Sequence, residues 1–134
     1  MTTSPAPSPV AGLVVVVDDT DVVRDLARLN LEEMGWRVAE CSGGAQALAY
    51  LEHTVPEAML IDISMPRMSG DQLVRQIRAR LGASIRLVGH TAHCMPQELQ
   101  AFREAGFDTL LVKPASQDEM AAALPLARGA RPVP

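Results

Sequence analysis

Residues 58–62 read Ala58-Met59-Leu60-Ile61-Asp62, a short apolar run that ends in a carboxylate. Apolar residues fill consecutive positions, which is typical of strands buried on both faces of a parallel sheet. A run of the same kind that leads to a polar residue recurs at residues 13–19, 85–91 and 109–113. The four stretches are therefore candidate core strands, each with a polar group near its carboxyl end.

Helical patterns separate these runs. The first predicted helix stops at Gly35, a residue common just beyond a helix C-terminus, and the fifth follows Ser116, a natural N-cap. Strand and helix alternate five times, which predicts an α/β fold with a parallel sheet and helices on both faces. The predicted strands are residues 12–17, 37–41, 58–62, 85–89 and 109–112, and the predicted helices are residues 20–34, 44–52, 70–81, 96–105 and 117–126.

Composition indicates one globular domain. The chain has 134 residues, 48% of them hydrophobic, with a net charge of -4 and 3% aromatic residues. It lacks a basic block or an aromatic platform, so we predict no nucleic-acid partner. Its apolar runs are too short to span a bilayer and its N-terminus does not resemble a signal peptide, so we predict a cytoplasmic protein with no membrane partner.

The two ends of the chain differ from its middle. Residues 1–10 and 128–134 are rich in proline and small residues, and we predict flexible tails on either side of a domain at residues 11–127. Cys41 and Cys94 lack the spacing of a metal site, so we predict ordinary reduced thiols.

Basic residues are unusual in kind. Eleven of the twelve are arginine, and the one lysine is Lys113, at the end of a predicted strand. Lysine offers a compact charge on a thin stem, whereas arginine offers a broad fork, so Lys113 predicts a narrow site for an anionic oxygen. Three of the arginines, Arg75, Arg78 and Arg80, form a stripe on the third predicted helix, which we interpret as a solvated face.

The polar residues at the predicted strand ends suggest phosphoryl transfer. In open α/β sheets the ligand site lies at the carboxyl ends of the strands. We therefore expect one site that contains Asp18, Asp19, Asp62, Thr91 and Lys113. Three carboxylates repel one another, and Mg²⁺ relieves that repulsion and pairs naturally with phosphate. A carboxylate nucleophile, a metal, a lysine and a hydroxyl fit phosphoryl transfer that yields an aspartyl phosphate.

These motifs together resemble the receiver domain of two-component response regulators, the CheY-like superfamily. The matching pieces are residues 16–19 (VVDD), residues 60–70 (LIDISMPRMSG), residues 91–92 (TA) and residues 113–114 (KP). The resemblance extends over roughly residues 10–127. It implies a flavodoxin-like, doubly wound, five-stranded parallel sheet of order 2-1-3-4-5 with five helices on both faces.

The resemblance also implies roles for the site residues. Asp62 would accept a phosphoryl group from a sensor histidine kinase or a histidine phosphotransfer protein. Asp19 would bind Mg²⁺ directly, Asp18 would act mainly through water and charge, and the backbone carbonyl of Ser64 would complete the metal ligands. Ser64 and His93 would flank the site and tune the lifetime of the phosphate.

A switch follows from the same resemblance. Lys113 would contact the phosphoryl oxygens, Thr91 would move to hydrogen-bond them, and the bond before Pro114 would be cis. The family usually has tyrosine or phenylalanine where this chain has Leu110, which has no ring to swing, and it more often has an apolar residue where this chain has His90.

We expect a phosphoacceptor that signals through a downstream protein target or a phosphorelay and is not a classical enzyme. If the sequence is the whole gene product, it is a stand-alone receiver; its Thr91 loop is also similar to receivers of hybrid kinases. One alternative is an adaptor-type pseudo-receiver that takes no phosphate. Another is a phosphatase with an aspartate nucleophile, which would normally have a second aspartate where this chain has Ser64.

Overall fold

The computed structural model describes residues 9–92 and 94–126. All ten predicted elements are present, and their predicted bounds differ from the observed ones by at most three residues. The strands are β1 (Val10–Val17), β2 (Arg37–Cys41), β3 (Pro56–Asp62), β4 (Arg86–Thr91) and β5 (Thr109–Val112). The helices are α1 (Asp21–Glu33), α2 (Gly44–Leu51), α3 (Gly70–Leu81), α4 (Pro96–Ala105) and α5 (Gln117–Ala123).

The strands form one sheet in the order β2-β1-β3-β4-β5, and every neighbouring pair is parallel. This confirms the predicted doubly wound fold and its strand order. The chain adds β2 on one side of β1 and the later strands on the other. The resulting crevice at the carboxyl ends of β1 and β3 is where such sheets bind ligands.

The core lies on both faces of the sheet, as the continuous apolar runs predict. Val15, Val17 and Met59 face α2, α3 and α4, whereas Val14 and Val16 face α1 and α5. Successive strand residues point to opposite faces, so an unbroken apolar run supplies side chains to both layers.

Three strands extend beyond their predicted bounds, and β3 does so by starting at Pro56 instead of residue 58. β1 starts at Val10, whose N–H donates to the Val55 carbonyl over 2.7 Å, and its register shifts between Val10 and Val14. Gly12 has φ 76° in this irregularity and donates its N–H to Glu57 Oε1. β4 runs to Thr91, because Thr91 still pairs with β5. Residues 1–8 and 127–134 lie outside the described residues, so the flexible tails stay predictions.

α5 ends earlier than its predicted limit at residue 126. Leu124 leaves the helical conformation with φ -126° and ψ 66° because Pro125 follows, and proline disfavours helical geometry in the residue before it. The released Leu124 carbonyl accepts a hydrogen bond of 3.1 Å from Trp36 Nε1. Trp36 is buried in the short segment between α1 and β2, so this bond links the end of α5 to that segment.

The cysteines are both free, as predicted. Cys41 lies buried at the end of β2, and burial raises the pKa of its thiol to about 11, against a smaller lowering by Arg24. A thiol that stays protonated at neutral pH is a poor nucleophile, so Cys41 acts as a core residue.

Arg78 corrects the interpretation of the arginine stripe on α3. Its side chain is only 19% exposed and reaches across to the β4 and β5 connections. Nε donates to the Gly106 carbonyl over 2.9 Å, and NH1 donates to the Ile85 carbonyl over 2.7 Å. NH2 pairs with Asp108, whose carboxylate also accepts from the Leu87 amide. Arg78 therefore joins three segments and is no part of a solvated face.

We expect Arg78→Met to lower the free energy of unfolding by about 2–3 kcal/mol, because it leaves partly buried carbonyl groups unpaired. The matched control is Arg75→Met on the same helix, because the Arg75 side chain is 60% exposed and its ion pair is with Asp71 one turn away. Such surface pairs contribute about 0–1 kcal/mol. Urea denaturation of both variants measures the difference, and equal losses would contradict the assigned role of Arg78.

Candidate functional site

Three carboxylates meet at the carboxyl ends of β1 and β3. Asp18 is 1% exposed and Asp62 is 4% exposed, whereas Asp19 lies at the surface. One oxygen of each side chain lies within 4.8 Å of the others. Asp18 is held by the backbone: its N–H donates to the Cys41 carbonyl, and its Oδ1 accepts from the Thr20 N–H over 2.9 Å. The structure thus brings the predicted acidic residues together.

Lys113 supplies the positive charge of the cluster. Its Nζ lies 3.1 Å from Asp18 Oδ2 and 3.2 Å from Asp62 Oδ1, and its side chain is 21% exposed. The Lys113 amide donates to the Thr91 carbonyl over 2.7 Å, which fixes the end of β5 against β4. The bond between Lys113 and Pro114 is cis, as the resemblance implies.

Thr91, at the end of β4, and Ser64, two residues beyond β3, flank the cluster. Thr91 ends β4 and is 7% exposed, and the Ser64 N–H donates to Asp62 Oδ1 over 3.1 Å. The role of the Ser64 carbonyl as a metal ligand stays a prediction. His93 lies outside the described residues, so its effect on phosphate lifetime also stays a prediction.

Leu110 is set back from the carboxylates. It pairs with Gly89 of β4, and a side chain at Gly89 would collide with the Leu110 Cδ2 methyl group. Leu110 packs against the core cluster that contains Ile63 and Phe107. The Leu110 side chain therefore packs over Gly89 of β4, on the face of the sheet that α4 covers. The absence of a side chain at Gly89 leaves space for it.

The charges around Asp62 are unbalanced. Burial, followed by the charge of Asp18, raises the pKa of Asp62 from its usual 3.8 to about 6, although Lys113 opposes the shift. A raised pKa means that the ionised carboxylate is destabilised where it stands. A divalent cation would relieve this repulsion, and an all-oxygen donor set is what Mg²⁺ prefers. The cluster therefore fits a magnesium site.

Sequence reasoning missed Arg24. This residue of α1 has a side chain that is 15% exposed, and its NH1 donates to the Asp18 carbonyl over 2.7 Å. It also pairs with Asp21 at 2.5 Å and with Glu40 of β2 at 3.6 Å. Arg24 thereby holds the turn that carries the acidic pair. Its place on the first turns of α1 gave no hint of this, because the contact depends on how the turn folds back.

Gly70 ends the motif at residues 60–70, and close contacts explain why this position is glycine. A Cβ at this position would lie 2.6 Å from the Asp62 carbonyl oxygen and 2.8 Å from Ile63 Cα. Its N–H donates to the Ile63 carbonyl over 2.9 Å. Only glycine lets α3 begin this close to the end of β3.

The comparison with known families agrees with this geometry. A family model described as the response regulator receiver domain matches residues 14–125. The chain belongs to the response regulator receiver domain family. Receiver domains are phosphoacceptors of two-component signal transduction, and the family as a rule does not consist of classical enzymes.

Relatives include receivers within much larger proteins. The chain is 33% identical over 108 residues to the sensor histidine kinase RcsC of Salmonella typhi, covering 81% of this chain and 11% of that protein. It is 32% identical over 108 residues to an uncharacterized 14.6 kDa protein of Leptolyngbya boryana, covering 80% of this chain and 82% of that protein. The chain thus spans about a tenth of the length of the RcsC kinases it matches.

A solved structure shows the same fold. The chemotaxis protein CheY4 of Vibrio cholerae superposes with a TM-score of 0.80 at 24% identity, covering 86% of this chain and 97% of that one. Among residues 9–92 and 94–126, no helix has both the length and the apolar character needed to cross a membrane.

We expect Asp62→Asn to change how stability depends on pH when metal is removed with a chelator. In the wild type, unfolded Asp62 ionises above about pH 3.8 and folded Asp62 only above about pH 6, so the free energy of unfolding falls as pH rises through this window. Asparagine does not ionise. The free energy of unfolding of Asp62→Asn, relative to that of the wild type, should therefore increase by about 2–3 kcal/mol between pH 4 and pH 7.

Denaturant titrations at several pH values measure this difference. A difference between the two proteins that stays constant from pH 4 to pH 7 would contradict the raised pKa of Asp62.

Proposed function

We propose that this receiver accepts a phosphoryl group on Asp62 from the phosphohistidine of a sensor histidine kinase or a histidine phosphotransfer protein, in a reaction that needs Mg²⁺. The observation that carries the proposal is the ammonium of Lys113 at 3.1 and 3.2 Å from two buried carboxylates. A cation that neutralises carboxylates in the resting cluster is also placed to neutralise the oxygens of an incoming phosphoryl group.

The transfer itself requires an ionised Asp62. Its pKa of about 6 leaves the carboxylate charged at neutral pH, and its limited hydration favours attack. One Asp62 oxygen forms a bond to phosphorus while the bond from phosphorus to the imidazole nitrogen of the donor breaks. The imidazole departs with that electron pair and takes up a proton, and Asp62 holds an acyl phosphate.

Metal binding falls to the same cluster. Asp18, Asp19, Asp62 and the backbone carbonyl of Ser64 would hold Mg²⁺. When bound, the ion neutralises negative charge that builds up on the phosphoryl oxygens. The 4.8 Å grouping of the three carboxylates and their mutual repulsion support this assignment.

Signalling would begin at Thr91, whose hydroxyl is the proposed hydrogen-bond donor to the phosphoryl oxygens. The usual partner in the switch is an aromatic ring, and here Leu110 fills the space above Gly89. We therefore propose that movement of Thr91 acts through the packing of an aliphatic side chain. Phosphorylation would shift a two-state equilibrium and present a surface to a downstream protein target or to a relay partner.

The receiver family supports the phosphoacceptor over the alternative phosphatase. The other alternative is a pseudo-receiver, an adaptor that never takes phosphate. A phosphorylation experiment distinguishes it from a phosphoacceptor. The cytoplasmic location, the donor kinase and the lack of nucleic-acid and membrane partners stay predictions.

The first test is phosphorylation by acetyl phosphate with Mg²⁺, followed by intact-mass spectrometry. We expect one added phosphoryl group that hydroxylamine removes, that chelation of Mg²⁺ prevents, and that Asp62→Asn abolishes. The matched control is Asp118→Asn, which changes an exposed aspartate at the start of α5 and should react as the wild type does. A wild-type protein that gains no phosphoryl group would leave only the adaptor.

A second test addresses Lys113. We expect Lys113→Met to slow phosphorylation by acetyl phosphate about 100-fold, because it removes a preorganised positive charge from the transition state. Lys113→Arg should recover little of the rate, since a planar fork does not fit between two carboxylates that a single Nζ bridges. Arg103→Met on α4 is the control, and a rate for Lys113→Met equal to that of this control would refute the role of Lys113.

A further inference from the structure

Every backbone and side-chain polar group of Asp18 is paired. Its N–H donates to the Cys41 carbonyl over 3.1 Å, and its carboxylate oxygens contact the Thr20 N–H and Lys113 Nζ. The Asp18 carbonyl is the remaining group, and it accepts a hydrogen bond of 2.7 Å from Arg24 NH1. Arg24 therefore completes the set of bonds that fixes Asp18 at the end of β1.

Asp19 depends on Asp18 for its position. The peptide unit between the two residues is planar, so a bond that holds the Asp18 carbonyl oxygen also holds the plane that contains the Asp19 nitrogen and Cα. From this backbone position the exposed Asp19 side chain brings one oxygen within 4.8 Å of those of Asp18 and Asp62. A rotation of the peptide plane would move the Asp19 carboxylate relative to the other two.

The Arg24 guanidinium reaches three parts of the fold with three different nitrogens. NH1 bonds the turn after β1, NH2 donates to Asp21 Oδ1 of α1 over 2.5 Å, and Nε lies 3.6 Å from Glu40 Oε1 of β2. A planar fork presents its donors in fixed directions, whereas the ammonium of a lysine is a compact charge on a flexible stem. Arg24 therefore holds the turn at a defined place between α1 and β2.

The charge of Arg24 and its geometry have opposite effects on a nearby cation site. A positive charge repels Mg²⁺, so loss of the charge alone would strengthen binding. Asp21 and Glu40 already offset part of that charge. Loss of the bond to the Asp18 carbonyl would instead weaken binding, because the peptide plane before Asp19 becomes free to rotate. The direction of the change in affinity therefore separates the two effects.

We propose that Arg24 is a positioning residue for the metal ion. Through the Asp18 carbonyl it holds the Asp19 carboxylate beside those of Asp18 and Asp62, and it thereby raises the affinity of the cluster for Mg²⁺. This inference rests on the proposed function, because it takes these three carboxylates as the Mg²⁺ site.

The test is a titration of the full chain with magnesium chloride, without a phosphoryl donor, in which amide NMR shifts near the cluster give the dissociation constant. We expect Arg24→Met to weaken Mg²⁺ binding about tenfold, the lower end of the usual loss when a group that orients metal ligands is removed. Arg24→Lys keeps the charge but not the fork, and should bind Mg²⁺ about threefold more weakly than the wild type.

Arg28, one turn later on α1, provides the matched control. Its side chain is 31% exposed and pairs with Glu32, and it shares the partner Glu40 with Arg24. Arg28→Met removes an equal charge from the same helix and leaves the bond to the Asp18 carbonyl in place. Its Mg²⁺ affinity should stay within about twofold of the wild type, because exposed charges are screened by salt.

The amide spectrum shows which variants are folded, and either Arg24 variant is sufficient for the test. The inference is overturned if a folded Arg24 variant binds Mg²⁺ as tightly as the wild type, which would leave Arg24 a role in folding alone. Tighter binding, which would make the charge decisive, or an equal loss in Arg28→Met also overturns it. A wild type without saturable shifts would overturn the proposed Mg²⁺ site as well, so the two failures are distinguishable.

Discussion

The fold is organised around the need to balance two buried carboxylates with one ammonium. Asp18 and Lys113 are 95 positions apart in sequence, yet their charged atoms lie 3.1 Å apart. Burying a charge without a partner costs several kcal/mol, so the ends of β1, β3 and β5 must meet at one edge. A parallel sheet in which β1 and β3 are neighbours meets this condition, and the imbalance that remains at Asp62 would favour the proposed cation and phosphoryl group.

The fold could be predicted from the sequence because the local patterns, apolar strands and capped helices, agree with the parallel sheet that their alternation requires. Apolar runs without alternation predicted buried strands, and the N-cap Ser116 forms a capping box with Glu119 as expected of a helix start. The site was readable because its residues sit at strand ends, where parallel topology decides which side chains meet. The predicted end of α5 at residue 126 is three residues too late, because apolar residues continue to Leu126 whereas Pro125 keeps Leu124 out of the helical conformation.

The contacts that sequence reasoning missed all depend on how chain segments fold back on one another. Arg78 and Arg24 look like ordinary amphipathic arginines, but each donates to backbone carbonyls whose positions are set by distant turns. The sequence shows Leu110 as a departure from the family pattern, but only the packing shows that Gly89 leaves space for its side chain.

Trp36 gives the molecule a built-in optical probe. It is the one tryptophan of the chain, it is 3% exposed, and its indole is bonded to Leu124 at the end of α5. It stands before the first residue of β2, at the edge of the sheet opposite the carboxylates. Its fluorescence should therefore change when α5 detaches or the protein unfolds, and should change little when Asp62 reacts. Stability and site chemistry can then be recorded as independent signals in one sample.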